Sequence, residues 1–118
     1  MEHWNDTQPI FLQIRQQLIA MILKGTIPEG EALPSVRQIA TDLSVNPLTV
    51  TKAYSFLVDL GVVTKKRGIG MYVAEEARAK LLEHERVKFL AEDWPRIREQ
   101  IEALGLGPQD LFGKGDNT

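Results

Sequence analysis

The sequence predicts a mainly α-helical chain with one small β-hairpin and a helical arm after it. Apolar residues recur at helical spacing in three segments before residue 61, and β-branched residues and glycines mark residues 62–73. A charged, helix-favouring stretch fills most of residues 75–104. With 118 residues, 43% of them hydrophobic, the chain can form a modest core in one domain or in one domain with an appendage.

The first helix is predicted over residues 9–24. Ile10, Ile14 and Leu18 fall at the i, i+4, i+8 spacing of one helical face. Gly25 then supplies a typical helix stop. The segment is therefore predicted to be an amphipathic helix that ends before Gly25.

A second helix is predicted to begin at Ser35. Ser35 and Gln38 have the spacing of a capping box, in which each side chain satisfies a free backbone N–H at the helix start. A break of about three residues follows Leu43, and Asn46 can then cap a third helix with Pro47 at its first position. Two helices joined by so short a turn are typical of a helix-turn-helix.

The third helix and a β-hairpin follow. The helix is predicted over residues 47–60, with Gly61 as a left-handed cap. Residues 62–66 and 71–73 favour strands, and the glycine-containing residues between them permit a tight turn. The tip of this hairpin is basic, with Lys65, Lys66 and Arg67.

The rest of the chain favours helices over residues 75–91 and 94–104, interrupted at Asp93 and Pro95, with one more turn over 108–112. Such an arm has little to bury its apolar side chains against, so we expect it to pair with a second copy of the chain. Packing back onto its own domain is the alternative. The expected dimer-interface residues are Leu81, Leu82, Phe89, Leu90, Trp94, Ile97, Ile101 and Leu104.

The composition argues against several classes of function. The chain has no cysteine and two histidines, so we expect no disulfide framework, no cysteine-based zinc site, no histidine-based triad and no cofactor. No apolar run approaches the roughly 18 residues of a membrane span. The acidic N-terminus is unlike a signal peptide, so the chain is expected to be cytoplasmic, without a membrane partner.

The charge distribution is more informative than the net charge of −2. Residues 35–73 contain five Lys/Arg against two Asp/Glu, whereas residues 74–118 contain seven against ten. This pattern suits a DNA-binding module with an acidic appendage. A helix-turn-helix followed by a basic hairpin predicts a winged helix-turn-helix, whose third helix enters the major groove while the wing reaches phosphates or the minor groove.

Five segments resemble the GntR family of bacterial regulators: Pro9–Ile14, Leu33–Arg37, Val45–Tyr54, Leu60–Gly61 and Arg67–Val73. The match spans residues 8–74. The 44 residues that follow are too few for the large effector-binding or aminotransferase-like domains of many relatives. This length resembles the short YtrA-type branch, whose tail is a pair of dimerisation helices. The expected division is therefore a DNA-binding domain over 1–74, a helical dimerisation arm over 75–112 and a disordered tail over 113–118.

The resemblance implies roles for particular residues. Arg37 would contact DNA at the start of the second helix, with Ser35 on the backbone. The other implied DNA-binding residues are Asn46, Pro47, Leu48, Thr49, Thr51, Lys52, Lys66, Arg67 and Gly68. Many relatives carry Arg at the positions of Pro47 and Thr51, so readout here would depend more on the small polar side chains and on DNA shape. Ser35 and Asn46 are also accounted for as helix caps.

The sequence thus predicts a repressor that binds a palindromic double-stranded DNA operator as a homodimer, with half-sites about 10 bp apart. A winged-helix module that binds protein is the alternative, and the basic wing tip argues for DNA. No nucleophile–base pair, metal cluster or nucleotide loop supports an enzyme. An unidentified small-molecule effector would have a place between the winged domain and the arm of the dimer. The YtrA-type resemblance implies control of membrane-transporter genes.

Overall fold

The computed structural model describes residues 7–113, and it confirms a mainly α fold with one small β-hairpin. The expected tail over 113–118 lies outside the described residues except for Gly113. In chain order the elements are α1 (Ile10–Lys24), α2 (Val36–Leu43), α3 (Pro47–Asp59), β1 (Val63–Lys66), β2 (Gly70–Val73), α4 (Ala77–Lys88), a π-helical turn (Phe89–Asp93), α5 (Trp94–Ala103) and α6 (Pro108–Phe112).

The chain divides into two compact units, the first ending at Leu82 and the second beginning at Glu83. The division falls inside α4, because Ala77 and Leu81 are fully buried in the core of the first unit. The expected functional division, with DNA binding over 1–74 and dimerisation over 75–112, remains a prediction.

The first unit is built around one apolar core. Helices α1 and α3 pack against each other, and α2, the hairpin and the start of α4 close the core around them. Each large apolar side chain removed from water contributes roughly 1.5–3 kcal/mol to stability. The largest fully buried side chains are Ile14, Leu18, Ile22, Val50, Tyr54, Leu57, Val62, Val73 and Leu81.

The predicted helix starts and stops around the short turn are confirmed, although only the Ser35 half of the predicted capping box forms between the described residues. The Ser35 hydroxyl accepts a hydrogen bond from the Gln38 N–H at 3.0 Å. The Asn46 Oδ1 atom accepts one from the Leu48 N–H at 2.8 Å. Gly61 follows α3 with φ +83°, a backbone conformation that is strained for any residue with a Cβ atom. Helices α2 and α3 therefore begin at the positions that the sequence predicts.

The hairpin is joined to the segment that leads into α2. Strands β1 and β2 are antiparallel, with Val63 opposite Val73. The chain just before α2 lies along β2, since the Leu33 N–H donates to the Met71 carbonyl at 2.8 Å and Ala32 pairs with Tyr72. The wing and the start of α2 are therefore held together by backbone hydrogen bonds.

The expected interruption of the arm at Asp93 and Pro95 is wrong. The chain stays helical through the π turn over Phe89–Asp93 and directly into α5. A proline inside an α-helix lacks an N–H and its ring collides with the carbonyl four residues earlier. The wider π turn just before Pro95 relieves this conflict. Within residues 7–113, no helix combines the length and apolar character needed to cross a membrane.

Candidate nucleic-acid interface

The start of α2 presents a cap and an exposed cation. Ser35 is exposed, although its hydroxyl already accepts the Gln38 N–H. Arg37 is exposed in the first turn of the helix. A guanidinium in this position can bind a phosphate or the edge of a guanine through paired hydrogen bonds. The structure thus leaves the Arg37 side chain accessible to DNA.

The start of α3 carries the predicted reading residues on its surface. Asn46, Pro47 and Leu48 are exposed, and Leu48 retains 75% of its accessible surface. Since Oδ1 of Asn46 caps the helix, its amide nitrogen is the group that remains for a base. An exposed apolar side chain such as Leu48 can contact a thymine methyl group. Thr49, by contrast, is half-buried.

Further along α3, Thr51 and Lys52 are exposed. The Lys52 Nζ atom lies 4.1 Å from the centroid of the Phe11 ring of α1. This distance is within the range of a cation–π interaction. The ring therefore holds the ammonium group that was predicted to meet a phosphate, and sequence spacing alone did not reveal this pair.

The two wing lysines lie on opposite faces of the hairpin. Successive side chains of a strand alternate, so Lys65 shares the face of buried Val63, whereas Lys66 shares the face of Thr64. The Lys66 Nζ atom lies 4.5 Å from the ring centroid of Tyr72. The sequence leaves open which cation of the wing touches DNA, and Lys65 was not among the residues named individually. Side chains alternate along a strand, so Lys65 shares a face with the apolar Val63, and this is the sequence signal that could have pointed to Lys65.

Lys65 joins the three elements of the surface. It lines a cavity of 350 Å³ together with Ser35 at the start of α2. It also lines a second cavity of 250 Å³ with Thr51 and Ser55 of α3. The start of α2, the later turns of α3 and the wing therefore border the two cavities that Lys65 lines, and Lys66 also lines the first of them. This arrangement gives a phosphate backbone a common contact.

The wing tip combines a cation, glycine and an apolar side chain. Arg67 is exposed, and Gly68 adopts φ +74°, which only glycine accepts without strain. Ile69 remains 69% exposed beside them. An apolar side chain at such a tip can enter a minor groove. Ile69 was not among the predicted DNA-binding residues, because the turn over residues 67–70 was identified by its glycines and its cation.

A buried tyrosine of α3 holds the segment just before α2 in place. The Tyr54 side chain is fully buried, and its hydroxyl donates a hydrogen bond to the Pro34 carbonyl. Burial raises the pKa of Tyr54 well above its ordinary value. Because Pro34 immediately precedes Ser35, this bond ties α3 to the start of α2.

The residues predicted for a dimer interface fall into three groups. Leu81 is fully buried in the core of the first unit, so we leave it out of the expected interface. Trp94, Ile97 and Ile101 are half-buried. The exposed members are Leu82, Phe89, Leu90 and Leu104. In the second unit, a depression of 380 Å³ is lined by Glu85, Arg86, Phe89 and Leu90.

Within residues 7–113, no three His, Cys, Asp or Glu side chains are grouped to hold a metal ion.

The fold and this surface define a winged helix-turn-helix protein. The family of bacterial regulatory proteins named gntR matches residues 11–73. The chain is 45% identical over 96 residues to the HTH-type transcriptional repressor YtrA of Bacillus subtilis, covering 81% of this chain and 68% of that protein. The chain belongs to the GntR family.

Solved structures agree with this assignment. A GntR family transcriptional regulator from Listeria monocytogenes matches with a TM-score of 0.79 at 30% identity, over 98% of this chain and 99% of that one. YtrA from Sulfolobus acidocaldarius matches with a TM-score of 0.61 at 30% identity, over 89% and 98%. The resemblance to the short YtrA-type branch is confirmed.

Proposed function

We propose that this GntR-family regulator represses transcription by binding a palindromic operator as a homodimer. In this proposal α3 enters the major groove, and the wing over residues 65–70 lies on the backbone or in the minor groove. The observation that carries the proposal is the meeting of Ser35, Thr51 and the wing around Lys65. Wing lysines beside the exposed Ser35 and Thr51 provide phosphate contacts next to polar side chains that can read bases.

The homodimer is supported by the packing of the second unit. Within residues 83–113, no residue is buried, although large apolar side chains are present. Phe89, Leu90, Leu104 and Phe112 each remain at least 42% exposed. A second copy that packs against these side chains would remove them from water, which is the main driving force of association.

The repressor role draws its support from the YtrA relative, which is named as a transcriptional repressor. A regulator of this kind acts where the chromosome is, so we place it in the cytoplasm. We assign it no enzymatic activity and no cofactor. A small-molecule effector stays part of the proposal, without a chemical identity.

The experiment is a selection of bound DNA from a pool of random duplexes, followed by affinity measurements on the recovered site at two salt concentrations. We expect an inverted repeat whose affinity falls steeply with salt, because phosphate contacts release counterions. Arg37→Ala should weaken binding by about 10–100-fold, the equivalent of about 1–3 kcal/mol.

Arg98→Ala is the matched control, since Arg98 is an exposed arginine of α5. It removes the same charge without touching the proposed surface. Recovery of no sequence above background would overturn the proposal. A winged-helix module that binds protein would then become the better account.

A further inference from the structure

Helices α1 and α3 each place a cation over an aromatic ring of the other where they pack. The Lys52 Nζ atom of α3 lies 4.1 Å from the centroid of the Phe11 ring of α1. One turn further along both helices the roles are reversed, because the Arg15 Cζ atom of α1 lies 3.9 Å from the centroid of the Phe56 ring of α3. Both distances are within the range of a cation–π interaction. Residues four positions apart share a helical face, so both pairs belong to one contact between α1 and α3.

The two cations of this contact differ in their access to solvent. Arg15 is half-buried, and its buried Nε atom has no hydrogen-bond partner among residues 7–113. Lys52 is exposed. An ammonium group has three N–H donors, so one that lies over a ring can still donate to an anion from solution. Lys52 is therefore the cation of this contact that a DNA phosphate can reach.

The Phe11 ring restricts a lysine that would otherwise move freely. In the part of the chain that the structure describes, no hydrogen bond or ion pair involves the Lys52 side chain, and its ammonium group contacts the half-buried Phe11 ring. A lysine side chain has many rotamers, and it loses this freedom when it binds a phosphate. A ring that already holds the ammonium group reduces that loss.

The position of Lys52 connects this contact to the proposed DNA surface. Lys52 directly follows Thr51, which lines a cavity together with Lys65 of the wing. Phe11 lies in the first turn of α1, outside the helix-turn-helix and the wing. The contact between α1 and α3 therefore brings a residue of α1 next to a cation that borders this surface.

We propose that Phe11 is a positioning residue for DNA affinity, whose ring holds the Lys52 ammonium group where it contacts an operator phosphate. This inference rests on the proposed binding of an operator by α3 and the wing. Phe11 acts through a phosphate contact and reads no base, so its contribution should be the same for every DNA sequence. Helix α1 thereby takes part in DNA binding through a residue that has no DNA contact of its own in this proposal.

The test is a double-mutant cycle on the full chain, with affinity for the selected operator duplex measured by fluorescence anisotropy. Phe11→Leu keeps an apolar side chain and removes the ring. It should weaken binding by about twofold to fivefold for each half-site, the equivalent of an exposed cation–π interaction of about 0.5–1 kcal/mol. In a Lys52→Ala background, Phe11→Leu should have no further effect. Phe11→Tyr keeps the ring and should bind at least as tightly as the wild type.

Phe56→Leu is the matched control, because it removes the other ring of the same contact between α1 and α3. It should leave operator affinity unchanged. If Phe56→Leu weakens binding as much as Phe11→Leu, the loss comes from the packing of α3 and the role of Phe11 is refuted.

Nuclear magnetic resonance provides a readout that needs no variant. Protons over the face of a phenyl ring resonate upfield, so the Lys52 ε-methylene protons should be shifted upfield in the wild type and should remain so in the operator complex. Phe11→Leu should abolish this shift and Phe11→Tyr should keep it. Loss of the shift when the wild type binds the operator would show that the ring competes with the phosphate. That result would refute the proposal even if Phe11→Leu failed to fold.

The outcomes separate this inference from the proposed function. If the wild type binds no inverted repeat, both fail. If the wild type binds one and Phe11→Leu costs the same affinity with and without Lys52, or none at all, the role of Phe11 is refuted while the proposed function stands.

Discussion

The two units of the chain use their apolar residues in opposite ways. In the first unit, side chains from every helix and strand meet in one core, and Leu57 is fully buried there. In the second unit, no residue among 83–113 is buried, and Leu90 remains 61% exposed. The contrast indicates that the first unit can satisfy its apolar pattern within one chain. The exposed apolar side chains of the second unit are those that the proposed homodimer would bury.

A leucine-to-alanine substitution in each unit gives the largest expected difference in the free energy of unfolding. Leu57→Ala should lower the free energy of unfolding by about 2–5 kcal/mol at every protein concentration, because it leaves a cavity in a closed core. Leu90→Ala should change the stability of the dilute chain by less than about 0.5 kcal/mol. It should instead weaken self-association. Urea unfolding followed by circular dichroism, with sedimentation equilibrium, measures both effects.

One result would contradict this contrast between the two units. If Leu90→Ala destabilises the dilute chain as strongly as Leu57→Ala, Leu90 belongs to an intramolecular core. The arm would then pack back onto its own domain.

Alkaline pH should act on the first unit through Tyr54. Its raised pKa means that, above the ordinary tyrosine value of about 10, the unfolded chain loses this proton while the folded chain retains it. The stability that depends on this group is fully present below pH 10. It should decline by up to about 1.4 kcal/mol per pH unit above it.

Tyr54→Phe removes this titration, so its free energy of unfolding should fall less steeply between pH 10 and 11 than that of the wild type. Equal slopes for wild type and Tyr54→Phe would show that the buried phenol does not govern alkaline unfolding.

The smallest effect distinguishes the two wing lysines. Lys65→Ala should weaken operator binding by about threefold to tenfold and reduce the salt dependence by about one phosphate contact. Lys66→Ala should have a smaller effect, because the Lys66 ammonium group lies over the Tyr72 ring. Lys88→Ala on α4 controls for charge alone. Fluorescence anisotropy over a series of salt concentrations measures all three, and a larger loss for Lys66→Ala would reverse our assignment of the wing faces.

Much of the fold could be predicted from local sequence. The caps at Ser35 and Asn46 and the stop at Gly61 depend on residues within three positions of each other, so their chemistry is visible in the sequence. The π turn before Pro95 was not visible. A proline predicts a conflict in the helix, but not whether the helix breaks or widens.

The sequence by itself determined the helix-turn-helix, the hairpin and the family, because helix spacing, caps and turn residues act over short distances in the chain. Only the tertiary structure decided which side chains of these elements meet. It placed Lys65 in cavities shared with α2 and α3, buried Leu81 in the core of the first unit, and brought Glu29 to the start of α4. These contacts join residues far apart in the chain, and their geometry depends on how the whole unit packs.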